Sequence, residues 1–146
     1  MRASGQFTEN CAGVILLVEN SRELRKLAAG VLREHEFQVL EASNAGEGIA
    51  IFQEWSDSIT LVITDLEMPG KSGLELANYI SVRNRNLPLL FISLHSSEVL
   101  SRLLSPARDF ISKPFSPAVL IDKVRQVTRK PEPGSEFHGA AAMTML

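Results

Sequence analysis

Leu61-Val62-Ile63-Thr64-Asp65-Leu66-Glu67-Met68-Pro69-Gly70-Lys71-Ser72-Gly73-Leu74 decides the fold of this chain. An apolar run rich in β-branched residues stops on a carboxylate, and a Pro-Gly turn signal follows it. That pattern predicts a buried strand of a parallel sheet leading into a loop. Asp65 then stands at the strand's carboxyl end, the edge of an open α/β sheet where ligands bind because loops and helix N-termini converge there. A lone aspartate in such a place would usually do no more than end a strand. Three further apolar runs end on residues of related chemistry: Val14-Ile15-Leu16-Leu17-Val18 on Glu19-Asn20, Leu89-Leu90-Phe91-Ile92 on Ser93, and Phe110-Ile111-Ser112 on Lys113-Pro114. Parallel alignment of these strands would bring carboxylates, a hydroxyl and an ammonium to one edge.

This constellation, in this chain order, resembles the receiver domain of bacterial response regulators. The resemblance runs from Gly13 to Arg129. Asp65 to Leu74 is similar, nearly residue for residue, to the family's phosphoacceptor loop, and Phe110-Ile111-Ser112-Lys113-Pro114-Phe115 to its lysine-proline motif. What the resemblance implies is specific. Asp65 is the expected phosphoacceptor, Glu19 and Asn20 occupy the acidic-pair positions, and Lys113 is the invariant lysine, with a cis bond to Pro114. Ser93 is the switch hydroxyl and Phe110 the switch aromatic. Mg2+ would be held by Glu19, Asn20, Asp65 and Glu67, the last through its backbone carbonyl. The implied partners are a sensor histidine kinase or phosphotransfer protein and a downstream protein, with a homodimer also allowed. The implied role is two-component signalling, not an enzyme's.

Two positions and one length depart from the family pattern. Asn20 stands where a second acid is usual, which removes a charge but leaves a carbonyl oxygen able to ligate. Leu94 follows the switch hydroxyl where a small residue is usual, so overpacking beside the switch path is expected. The stretch from Ser93 to Lys113 is also short by about two residues, a loss expected in or before the helix it contains. Asn20 and Leu94 motivate the alternative, a receiver-shaped interaction module that acts without phosphorylation. A flavodoxin would share the fold type, but Glu19-Asn20-Ser21-Arg22 has the wrong charge to cradle a flavin phosphate.

The remaining sequence supplies the helices. Leu24, Leu27, Ala28, Val31 and Leu32 predict one apolar face after the first strand, with Asn20 or Ser21 as cap. Phe37 to Glu41 predicts a second strand, its polar content suited to a sheet edge. Asn44 with Glu47 marks the start of a second helix buried through Ala45, Ile49, Phe52 and Trp55. Ser72 and Glu75 stand in capping-box spacing before a third, with Leu74, Ala77 and Ile80 facing inward. Ser96 or Ser97 should begin a short helix through Val99, Leu100, Leu103 and Leu104. Ser116-Pro117 starts the last, with Leu120, Ile121, Val124 and Val127 buried.

Alternating strands and helices predict a doubly wound (βα)5 flavodoxin-like α/β sandwich, because parallel strands need right-handed crossovers. The expected order of its five-stranded parallel sheet is 2-1-3-4-5. The expected divisions are a tail over residues 1–12, a receiver domain over 13–130 and a disordered tail over 131–146, where Gly134-Ser135-Glu136-Phe137 has the character of a cloning scar.

Composition bounds the alternatives. The chain has 146 residues, 45% of them hydrophobic, enough for one domain with a core and too few for a second of ordinary size, so a fused DNA-binding output domain is not expected. A formal net charge of -2 offers no footprint for nucleic acid. Cys11 is the single cysteine, and no apolar run has the length of a membrane span, so a cytoplasmic setting with no membrane contact is expected. His35, His95 and His138 lack zinc-ligand spacing.

Overall fold

The computed structural model of the chain describes residues 11–95 and 109–129. Within them lie five strands and four helices: β1 (Gly13–Val18), α1 (Arg22–Glu34), β2 (Phe37–Ala42), α2 (Ala45–Trp55), β3 (Leu61–Asp65), α3 (Gly73–Arg83), β4 (Leu89–Ser93), β5 (Asp109–Ser112) and α4 (Pro117–Thr128). The helix expected over Val99 to Leu104 and both expected tails, except Cys11 and Ala12, lie outside the described residues.

All strands are parallel, in the order β2-β1-β3-β4-β5. The central strands are covered on both sides, and alternation divides their side chains between the faces. Ile15 and Leu17 of β1, with Ile63 of β3 and Ile92 of β4, pack under α1 and α4 through Ala28, Leu32, Leu120, Ile121 and Val124. Val14, Leu16 and Val18, with Val62, pack under α2 and α3 through Phe52, Leu76 and Ile80. Each such large aliphatic side chain contributes about 1.5–3 kcal/mol by leaving water, so the middle of the sheet is the most firmly held part of the fold.

Caps set the helix starts where the sequence placed them. Ser21, Asn44, Ser72 and Ser116 each accept a hydrogen bond from a backbone N–H of their first turn, and Ser72 with Glu75 forms the full capping box. Two expected inward residues instead face solvent. Leu27 is 62% exposed because Arg25 turns inward to Glu41, which rotates the buried stripe of α1 onto Ala28, Ala29 and Leu32. Leu74 is exposed because α3 begins at Gly73 and buries Gly73, Leu76, Ala77 and Ile80, leaving Leu74 on the far side of the turn.

Candidate functional site

Register builds the site. β1 and β3 align Val18 with Thr64, so the next residues, Glu19 and Asp65, emerge side by side. β3 aligns Asp65 with Ile92 of β4, and β4 aligns Ser93 with Ser112 of β5, which delivers Ser93 and Lys113 to the same edge. The Lys113 backbone N–H donates to the Ser93 carbonyl at 2.6 Å, and the Lys113-Pro114 bond is cis, as the family pattern implied.

Glu19 and Asp65 are buried to 1% and 2% exposure, an arrangement that needs a counter-charge. Lys113 supplies it, with Nζ 3.1 Å from Glu19 Oε1 and 3.2 Å from Asp65 Oδ1. Among the described residues neither of those oxygens takes a hydrogen bond besides this ion pair, which leaves both with coordination capacity in hand. Asn20 stands over the pair. Its amide must turn its nitrogen toward the carboxylates, because the reverse would set a carbonyl oxygen against two anions. So oriented, Nδ2 donates to Glu19 Oε2 at 3.2 Å and to Asp65 Oδ2 at 2.9 Å.

Electrostatics follow from this packing. Burial, and after it the Glu19 charge, pushes the Asp65 carboxyl up to about 7 against the opposing pull of Lys113. Burial works to lower the Lys113 ammonium, but the Asp65 and Glu19 carboxylates outweigh it and leave it raised, hence protonated at neutral pH. Two buried carboxylates, with no imidazole or thiolate beside them among the described residues, fit a hard, oxygen-seeking divalent cation such as Mg2+ rather than zinc, and the Asn20 amide would add its oxygen by turning over once the cation replaces the two hydrogen bonds. Among the described residues no three His, Cys, Asp or Glu side chains converge.

The Glu67 side chain is elsewhere. Its Oε2 accepts the Ser93 hydroxyl and lies 3.3 Å from His95 Nε2, while Oε1 accepts the Leu94 N–H at 3.3 Å. Ser93 is fully buried. Leu94 is 73% exposed, so among the described residues its side chain does not crowd the switch path, and its backbone N–H is what engages Glu67. Phe110 is half-buried on β5, packed toward Leu66, Ala77 and Phe91.

Sequence reasoning passed over several supporting residues. The Ser21 N–H donates to Glu19 Oε2 at 2.9 Å, and Arg25 donates to the Glu19 carbonyl at 2.8 Å. Gly73 approaches the backbone of Asp65 and Leu66 so closely that a side chain cannot be placed there. Arg25 stands one helical turn after the Ser21 cap, a spacing that hints at its inward turn. Nothing in the sequence signals the contacts of His95.

Comparison with known proteins places the fold in a family. The family described as "Response regulator receiver domain" matches residues 15–125. The chain is similar to the response regulator protein FleR of Pseudomonas aeruginosa, 31% identical over 136 residues, covering 90% of this chain and 28% of FleR. It is similar to the phosphate regulon transcriptional regulatory protein PhoB of Escherichia coli, 29% identical over 82% of this chain and 53% of PhoB. The chain thus spans about half or less of these curated relatives. Among solved structures, the receiver domain of the hybrid histidine kinase CckA superposes with a TM-score of 0.70 at 31% identity, over 80% of this chain and all of that one.

Proposed function

Because the chain belongs to the response regulator receiver domain family of two-component systems, we propose that Asp65 accepts a phosphoryl group from a sensor histidine kinase or phosphotransfer protein. The observation that carries this reading is the Lys113 ammonium lying between the buried carboxylates of Asp65 and Glu19. In the transfer, an Asp65 oxygen forms a bond to phosphorus as the phosphohistidine P–N bond breaks, and the electron pair leaves with the imidazole. The protein's part is positioning and charge.

Each residue then has a task. Asp65 must be deprotonated to attack, and at about 7 its carboxyl loses its proton near neutral pH. Lys113 neutralises charge that builds on the phosphoryl oxygens. Glu19 and Asn20 flank the nucleophile, and with Asp65 and the Glu67 carbonyl they would hold Mg2+. When bound, Mg2+ supplies Lewis-acid neutralisation of the phosphoryl oxygens. Ser93 would then donate its hydroxyl to the phosphoryl group, and Phe110 would turn inward, altering the surface a downstream protein meets. We place this activity in the cytoplasm, without direct contact to nucleic acid or membrane.

The second reading, an interaction module that works unphosphorylated, is favoured by one observation: the Asn20 amide, standing where a second acid is usual, donates to both buried carboxylates. Acetyl phosphate with Mg2+, followed by intact mass, separates the two. One added phosphoryl mass, absent in Asp65→Asn, is expected; no label in the parent favours the second reading.

A further inference from the structure

Ser93 has one hydroxyl proton, and it is engaged by Glu67. The same Ser93 oxygen accepts the His95 N–H at 3.0 Å. On its other side the Glu67 carboxylate takes the Leu94 N–H and lies beside the His95 ring. One carboxylate from the loop after β3 therefore holds three consecutive residues at the end of β4. Hydrogen bonds to an ionised carboxylate are stronger than neutral ones, and this one reaches a fully buried hydroxyl.

We infer that Glu67 is a positioning residue that keeps Ser93 in a resting arrangement, withholding the hydroxyl proton that a phosphoryl group on Asp65 would need. The inference rests on the phosphoacceptor reading and extends it to regulation of the same site. A phosphorylated Asp65 brings a charge of about -1.5 to -2. Ser93 cannot donate to it while donating to Glu67. Phosphorylation therefore shifts the domain only by the difference between a Ser93–phosphoryl bond and the Ser93–Glu67 bond it replaces. Glu67 lowers the response by stabilising the resting state.

Removing an acid near the site would help any anion to bind, so the test must separate this general charge effect from one acting through the hydroxyl. A double-mutant cycle does so. Beryllofluoride, a phosphoryl mimic, is titrated with Mg2+ into the parent, Glu67→Ala, Ser93→Ala and the double variant, reading amide shifts around Phe110. Glu67→Ala should lower the half-saturating concentration on the order of tenfold, the worth of releasing one hydrogen bond to a charged group. That gain should vanish in the Ser93→Ala background. An equal gain in both backgrounds, or none in either, overturns the inference while leaving the phosphoacceptor reading standing. Beryllofluoride binding to none of the four proteins overturns both. In the ligand-free state, Glu67→Gln should speed hydrogen exchange of the Leu94 and His95 amides; unchanged exchange there also overturns it.

Discussion

A Cβ on Gly73 would lie 2.1 Å from the carbonyl oxygen of Asp65, so the first turn of α3 and the end of β3 meet at a distance open only to glycine. The same carbonyl accepts the buried Thr64 hydroxyl at 3.1 Å, and the Gly73 N–H donates to the Leu66 carbonyl at 3.1 Å. The backbone carrying Asp65 is thus held from two sides.

Gly73→Ala should therefore destabilise the fold and displace Asp65. The clash is with backbone, which cannot rotate away as a flexible side chain can. Overpacking of this kind costs about 1–3 kcal/mol, read as a lowered urea midpoint. An unchanged midpoint would mean that α3 slides without cost.

Asp65 should make stability depend on pH. Its carboxyl, raised to about 7 by burial first and by Glu19 second, keeps a proton in the folded state that the unfolded chain gives up near pH 4. The favourable contribution is complete below about pH 4 and is lost as pH rises through 7. Asp65→Asn, neutral at every pH, should stabilise more at pH 8 than at pH 5, by on the order of 1–2 kcal/mol. Urea unfolding of both proteins at the two pH values checks the sign. Mg2+ added to the parent at pH 7 should release protons, because a cation favours the ionised carboxyl.

Asn20→Asp replaces an amide that donates to two carboxylates with a third anion. Without metal, repulsion should lower the melting temperature. With Mg2+ the added charge becomes an asset, so the rise in melting temperature on adding Mg2+ should be larger than in the parent. An equal or smaller rise would argue that Asn20 does not face the cation.

Two surface positions, one in α1 and one just after it, carry the wrong residue for stability. Gly30 sits mid-helix with open space around it, and Glu36, just past the helix end, holds φ at 73°, a left-handed conformation that favours glycine. Gly30→Ala should add about 1 kcal/mol and Glu36→Gly about 0.5–1 kcal/mol. The sites are separate enough for the effects to sum, which thermal or urea unfolding of the double variant would show.

The sequence alone determined the five strands and four helices of the described residues and the edge at which the strands end. Continuous apolar runs with a period unsuited to amphipathic helices must be buried strands, and the residues that end or directly follow them, Glu19, Asp65, Ser93 and Lys113, must share an edge once the strands run parallel. Cap residues such as Ser72 mark helix starts because they satisfy local N–H groups, a decision made within four residues.

The tertiary structure decided what local chemistry leaves open. The Glu67 carboxylate could have turned toward the Asp65 pair or away from it; the β4 end, with Ser93, Leu94 and His95, supplies donors that the acidic pair cannot. Arg25 turns inward because Glu41 waits on β2, and that long-range pairing, invisible in the α1 period, moves Leu27 to the surface. Gly73 is needed only because α3 packs back on β3. Each of these turns on which charges and backbone groups meet across distant segments, and strand register, not sequence neighbourhood, sets those meetings.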